Sequence, residues 1–425
     1  LISFLVTFIT GTFPFIFVKK NTSTTLQSGF LTIVLAWILS FIFGMLPYVL
    51  WGGEFTLINA WFESVSGYTT TGSTILTEIE ALPKSLLFWR SSTHFIGGLG
   101  VIVFLLMILP DSSPAKLRLT HLELSSLSKE GYRYKTSTIT RVMVTVYIGL
   151  TIVETLLLWA AGMSLFDAVN HAFSTVATGG FSTKNTSVMY FDSTSIDIII
   201  TVFMALSAMH FGVIFAIVAG RSFKPLKHSV TKYYLGIIAV CSIIIAFSLK
   251  TQGGYESWGG ALLDSTFQTV SYLTTTGFGQ ADNAMWPLLA KTILIFAAMH
   301  CGCAGSTTGG IKADRMFIAL KAIHGDFLKR LHPSSLFRTR VGGKVLNDST
   351  VSSVFLYIVL YILIIFISFI LLLICGVEIG DAFSGTISSL GNVGPGTGTL
   401  GTMGNYSGFS PLVKFIFTID MFFGR

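Results

Sequence analysis

The sequence predicts an all-α polytopic membrane protein built from four tandem repeats behind an extra N-terminal span. Three observations carry that reading. Only 11% of the 425 residues are charged and 52% are hydrophobic, whereas soluble domains average about 25% charged; the mean hydropathy is +0.74. Long apolar runs alternate with polar intervals, and most of the 27 Lys and Arg fall in every second interval. The other intervals share a four-column residue pattern. This composition excludes a soluble enzyme, a disordered chain and a secreted disulfide scaffold. The net charge of +7 does not point to nucleic acid, because the basic residues sit between apolar runs rather than on one polar face. The 42 glycines suit close helix contacts and special backbone.

A spanning helix needs about 20 apolar residues, and nine candidate runs follow in order. Run 1–18 begins without Met and the last run stops at Arg425; both ends read as cut. No signal-peptide pattern is visible, so insertion is expected to rely on the first spans. Residues 1–29 form the extra span and a basic loop with Lys19 and Lys20. Residues 30–110 form repeat 1, with spans 30–51 and 86–109. Loop 111–138 carries Lys116, Arg118, Lys129, Arg133 and Lys135, and its amphipathic stretch 120–134 reads equally as a surface helix or a docking site. Residues 139–220 form repeat 2, with spans 139–161 and 196–219, followed by loop 221–232 with Arg221, Lys224, Lys227 and Lys232. Residues 233–323 form repeat 3, with spans 233–249 and 288–323. Loop 324–350 holds Lys329, Arg330, Arg338, Arg340 and Lys344. Residues 351–425 form repeat 4, with spans 351–375 and 411–425. The positive-inside rule places the basic intervals in the cytoplasm.

The intervening segments align on Gly72, Gly180, Gly277 and Gly394. Ser66, Ser174, Ser271 and Ser388 form a second column. Asn59, Asp167, Asp264 and Asp381 form a third, read as N-caps of a short helix. Ala60, Ala168, Ser265 and Ala382 form the fourth. The tandem Gly179-Gly180 leaves a one-residue ambiguity in the second repeat, in which the Ser and Asp columns favour Gly180. Each following span carries a further Gly column at Gly97, Gly212, Gly302 and Gly424. The repeat unit is thus helix, short capped helix of about nine residues, Gly strip, helix. A segment that short re-enters, and irregular backbone at that depth is tolerated where it lines a watery path. Four such elements around one axis make a pore, with four helix C-termini converging on a cation.

The strips supply backbone carbonyls in place of hydration water. The candidate ligands are Thr70, Thr71 and Gly72; Thr178, Gly179 and Gly180; Thr275, Thr276 and Gly277; and Asn392, Val393 and Gly394. No Asp or Glu lies in the strips, which favours a large, easily dehydrated monovalent ion. Span 288–323 is interrupted by Ala304, Gly305, Ser306, Thr307, Thr308, Gly309 and Gly310, whose small and β-branched polar residues weaken a helix. This break lies on the cytoplasmic side of the strip and is expected to border the path. Arg425 occupies the matching region of the fourth inner helix, where a lone Arg faces a cavity or a partner.

Together these stretches resemble the Trk/Ktr superfamily of potassium transporter membrane subunits. The similarity covers essentially the whole chain. It rests on Phe62-Glu63-Ser64-Val65-Ser66-Gly67, on the run Ala172 to Gly180, on Gly305-Ser306-Thr307-Thr308-Gly309-Gly310-Ile311-Lys312 and on Gly391-Asn392-Val393-Gly394-Pro395-Gly396. The extra span 1–18 resembles the Trk branch. The resemblance implies channel-like K+ uptake in a bacterial inner membrane, with K+ as the ion and no organic cofactor in this chain. It also implies a homodimer with one pore per subunit, contact with membrane lipids, and a cytoplasmic ring of nucleotide-binding regulatory subunits docked on the basic loops. For 304–310 and Arg425 it implies a gate, the loop obstructing and the guanidinium repelling the cation.

Other readings of the same residues are weaker. Gly305 to Lys312 misses a phosphate loop, since Lys312 falls one place late and no strand precedes it. Asp381 belongs to a column rather than to a protease dyad. His94, His210 and His300 read as packing or hydrogen-bonding groups, and Cys241, Cys301, Cys303 and Cys375 as small apolar packing residues. No constellation supports an enzyme. The competing function is a stoichiometric secondary transporter coupling K+ to H+ or Na+. Such folds usually have two repeats, often inverted, with ionisable groups at midplane; here four repeats share one orientation.

Overall fold

The computed structural model describes residues 2–17, 26–100, 136–334 and 338–425. Residues 111–135 of the second basic loop, including the stretch 120–134, lie outside the described residues. So do Lys19, Lys20 and the part of the 86–109 span beyond Gly100. Fifteen α-helices are present among the described residues, joined by short 3₁₀ turns and one two-residue-stranded hairpin. Helix α1 (Ile2–Phe17) precedes the repeats. Repeat 1 comprises α2 (Leu26–Trp51), α3 (Leu57–Tyr68) and α4 (Lys84–Leu99). Repeat 2 comprises α5 (Thr136–Ala160), α6 (Leu165–Val176), α7 (Thr194–Ser207) and α8 (Phe211–Gly220). Repeat 3 comprises α9 (Ser229–Gln252), α10 (Trp258–Leu273), α11 (Leu288–His300) and α12 (Ala313–Leu331). Repeat 4 comprises α13 (Asp348–Ile374), α14 (Ile379–Gly391) and α15 (Pro411–Gly424).

Four helices among the described residues are individually long and apolar enough to cross a membrane: α2, α5, α9 and α13. They begin the four repeats. Their outward faces are greasy, as Leu356, Val359, Leu363 and Phe366 on α13 illustrate, which is the surface a lipid-facing helix requires. The second span of each repeat is less regular. Residues 196–219 were expected as one helix, but α7 and α8 meet at 104°. Residues 288–323 divide into α11, a non-helical stretch and α12. These two breaks complete each other. The Phe211 amide donates to the Gly305 carbonyl at 3.1 Å, and the Cys303 amide donates to the Ala208 carbonyl at 2.8 Å. Each break therefore supplies partners for backbone groups that the other releases, which membrane depth demands.

The short helices α3, α6, α10 and α14 form the centre. Each packs on the first helix of its own repeat, and each touches the inner helix of the preceding repeat: α4 with α6, α7 with α10, α11 with α14, and α15 back to α3. That last contact closes the ring. Along α14 every residue from Ala382 to Gly391 except Phe383 is buried, as is nearly all of α3 beyond Ala60. Two large apolar clusters support the ring. One joins repeats 2 and 3 through Tyr147, Ala177, Tyr234 and Leu273; the other joins repeats 1 and 4 through Phe41, Phe62, Tyr406 and Phe417. Beyond α12 a hairpin pairs β1 (Arg340–Val341) with β2 (Lys344–Val345). It turns on Gly342 and Gly343, at φ +59 and +83, as a type I′ turn needs.

Candidate functional site

The four Gly strips follow directly from the C-termini of the short helices. Each strip opens with a non-glycine residue in the left-handed region: Thr70 (φ 53), Thr178 (φ 55), Thr275 (φ 57) and Asn392 (φ 55). Two residues later each has a positive-φ glycine: Gly72 (φ 83), Gly180 (φ 81), Gly277 (φ 77) and Gly394 (φ 101). Repeating this unusual alternation four times at aligned positions places Gly180, not Gly179, in the glycine column. The amides between fold back onto the helix. Thr71 donates to the Ser66 carbonyl at 2.9 Å, Gly179 to Ser174 at 2.8 Å, Thr276 to Ser271 at 2.9 Å and Val393 to Ser388 at 2.9 Å. With these amides held toward the helix, the carbonyls are free to face elsewhere.

The strips interlock. A Cβ added at Gly72 would strike the carbonyl of Gly179; at Gly180, that of Thr276; at Gly277, that of Val393; and at Gly394, that of Thr71, at 2.5 Å. Each glycine thus backs onto the residue preceding the glycine of the next strip, and the fourth returns to the first. The inner-helix Gly column serves the same close packing in two repeats. A Cβ at Gly97 would strike the Tyr68 carbonyl, and one at Gly424 the Leu390 carbonyl. In repeat 3 the helix has already ended, so Gly302 lies against Ala208 instead. All four strip glycines line one cavity of about 90 Å³. The converging helix ends carry partial negative charge toward this ring. Among the described residues no group of three His, Cys, Asp or Glu could hold a metal ion.

One reading of the columns needs correction. Asn59, Asp167, Asp264 and Asp381 are not the N-caps. Those positions belong to Thr56, Ser164, Ser257 and Glu378, and the short helices run to 12, 12, 16 and 13 residues rather than about nine. The acidic column sits inside the helix because its side chains tie the helix start to the segment leaving the strip. Thr183 donates to Asp167 at 2.6 Å, Gln280 to Asp264 at 3.0 Å, and Thr399 to Asp381 at 2.5 Å. In repeat 1 Asn59 accepts from Lys414 Nζ at 2.9 Å. In the Ser column, Ser174 Oγ meets His94 Nδ1 at 2.7 Å, and Ser271 Oγ donates to the Phe278 carbonyl at 2.7 Å. The other inner histidines also find neighbours: His300 meets the Tyr233 hydroxyl at 2.9 Å, and His210 accepts from the Gly212 amide at 2.9 Å.

Sequence reasoning missed the pair Glu63 and Arg90, although two lone charges in apolar segments signal it. They lie 2.8 Å apart, with side chains 0% and 1% exposed. Glu63 also accepts from Thr74 Oγ1 at 3.0 Å and the Ile75 amide at 3.2 Å; Arg90 donates to the Ser182 carbonyl at 3.2 Å and lies 4.1 Å from the Phe181 ring centre. One buried pair thus braces the exits of strips 1 and 2.

Residues 301–312 form the break between α11 and α12, with Cys301, Gly305, Gly310 and Lys312 at positive φ. This loop, which contains Ala304 to Gly310, reaches the ring. Thr307 Oγ1 donates to the Val176 carbonyl at 3.1 Å, and the Gly309 amide donates to Thr275 Oγ1 at 3.4 Å. Arg425 donates to the Thr307 carbonyl at 2.5 Å and to those of Gly97 at 2.7 Å and Gly98 at 3.2 Å. Loop and arginine, far apart in sequence, are therefore one assembly. A cavity of about 360 Å³ borders it, lined among others by Thr307, Gly310, Lys312, Tyr357 and Arg425.

This geometry has close counterparts. The TrkH family, described as cation transport protein, matches residues 1–425. The Trk system potassium uptake protein TrkH of Salmonella typhimurium is 34% identical over 406 residues, covering 94% of this chain and 83% of its own. TrkG of Escherichia coli is 31% identical over 411 residues, covering 96% and 84%. The crystal structure of the potassium transporter TrkH from Vibrio parahaemolyticus superposes with a TM-score of 0.88 at 31% identity, covering 99% of this chain and 88% of that one. Fourfold repeat, interlocked glycine ring and matched relatives agree, and the chain belongs to the TrkH family of cation transport proteins.

Proposed function

We propose that this protein is a gated, channel-like potassium uptake protein of a bacterial inner membrane. The observation that carries the reading is the closed ring of strips, in which each glycine is locked against the next strip's carbonyl. Backbone carbonyls of Thr70, Thr71, Thr178, Gly179, Thr275, Thr276, Asn392 and Val393, with the four ring glycines, replace the hydration shell of K+. Four helix C-termini add negative potential. The matched relatives are named potassium uptake proteins, which supports K+ as the transported ion.

The loop 304–310 and Arg425 close the path beneath the ring. The loop fills space, and the guanidinium repels a cation in a region of low dielectric. A cytosolic nucleotide-binding ring controls that closure from the basic loops, which face the cytoplasm, and two copies of the chain form a homodimer among the membrane lipids. The relatives' designation as parts of a Trk system supports a partner subunit. Purified protein in liposomes is expected to pass Rb+ and K+ faster than Na+ and to give unitary current steps in a bilayer. Strictly coupled turnover with H+ or Na+, without current steps, would defeat this reading and favour the secondary transporter.

A further inference from the structure

We propose that Asn392 couples the intramembrane loop to the ring, so that loop position and ion discrimination form one linked equilibrium. The inference deepens the proposed function and rests on it. Three strips carry Thr at this position; the fourth carries Asn. The Asn392 side chain is completely buried. Its Nδ2 donates to Thr71 Oγ1 of strip 1 at 3.0 Å and to the Met421 carbonyl of α15 at 2.8 Å. Its Oδ1 accepts no hydrogen bond among the described residues. Gly309 of the loop closes that side: a Cβ there would lie 2.5 Å from Asn392 Oδ1 and 2.8 Å from the Gly391 carbonyl.

A threonine in place of Asn392 could not span these points, since it is shorter and has a single donor, whereas the amide has two. The amide thus joins strip 4 to strip 1 and to the inner helix while the loop walls its oxygen. When the loop withdraws, Oδ1 opens to the watery path. A solvated amide competes with its own bond to Thr71, and the strip 1 carbonyl geometry loosens. Linkage then works both ways: an ion that tightens the strips holds the loop in place, and a displaced loop weakens discrimination. The Gly309 amide also bonds to Thr275 Oγ1 of strip 3, and Thr307 to the Val176 carbonyl at the end of α6, while Asn392 both joins strip 4 to strip 1 and faces the loop.

The test compares Rb+ and Na+ flux in liposomes for the parent, a deletion of 306–309, Asn392→Thr, and both changes together. The deletion is expected to raise flux and to lower the Rb+/Na+ ratio about fivefold, the scale of one lost hydrogen bond. Asn392→Thr is expected to lower the ratio similarly, and the combination to lower it no further. Gly309→Ala keeps the loop length and presses on Asn392 Oδ1 as well as on the Gly391 carbonyl, so it should shift the ratio in the parent and shift it less beside Asn392→Thr. This second route decides the matter if the deletion fails to fold. Raised flux with an unchanged ratio, or ratio losses that multiply, overturns the coupling while leaving the gate intact. Deletion flux at the parent level overturns the gate itself, and the coupling with it.

Discussion

At Gly277 and Gly394 two demands fall on one residue. Both have positive φ, +77 and +101, and both have a carbonyl where a Cβ would stand. A left-handed L-residue costs roughly 1–2 kcal/mol, and the collision adds to it. Gly277→Ser and Gly394→Ser are therefore expected to lower the K+/Na+ permeability ratio about tenfold or more, the ratio equivalent of about 1.4 kcal/mol. Reversal potentials under bi-ionic conditions measure this; unchanged ratios in both variants would remove these glycines from the ion path. Glu63 and Arg90 make a different demand. Removing one partner strands a buried charge at a cost of about 3–5 kcal/mol, whereas replacing both by apolar residues is far milder. Glu63→Gln and Arg90→Leu are each expected to lower the melting temperature in detergent markedly, and the pair Glu63→Met with Arg90→Leu to recover most of that loss. Equal losses in all three would deny the pairing its role.

At the scale of elements, the short helices, the broken helices and the loop behave as linked parts. The bend between α7 and α8 and the break after α11 exchange backbone hydrogen bonds, so neither can straighten without stranding polar groups in the bilayer. Deleting 306–309 leaves that exchange in place, because it runs through Cys303 and Gly305. The shortened loop and Arg425→Ala are each expected to raise K+ flux without any regulator, severalfold at equal protein density. Flux no faster than the parent in both variants would show that closure lies elsewhere. The existence of this loop was legible in the run of small and β-branched residues. Its bonds to Val176, Thr275 and Arg425 were not, because they join residues more than thirty positions apart and leave no periodic mark.

For the whole molecule, the basic intervals are the surfaces expected to meet a regulator. Arg338 and Arg340 are part of the interval around the exposed hairpin between α12 and α13, where they form no ion pair among the described residues. A regulatory ring that presents an acidic face to these loops would find them accessible. Arg338→Glu with Arg340→Glu is expected to reduce co-purification of the regulator about tenfold at moderate salt, two charge-assisted contacts contributing a few kcal/mol at most. Intact complexes after reversal across all basic loops would leave these charges with topology and anionic lipid alone.

Composition and repetition by themselves determined the helical membrane class and the aligned glycine columns, and raised the expectation of four repeats in one orientation. Each of these is a local or periodic property: apolar length, basic intervals and aligned columns. The positions of the helix caps escaped that reading, because Asp167 and Asp381 suit a cap equally well and are drawn inward by Thr183 and Thr399 across the strip. The tertiary structure alone decided that each glycine backs onto the neighbouring strip, that Glu63 finds Arg90, and that Arg425 reaches Gly97, Gly98 and Thr307. The physical reason is common to all three. A buried carbonyl or charge inside a membrane must find its partner in space, and in a ring closed from first repeat to last that partner lies on another repeat.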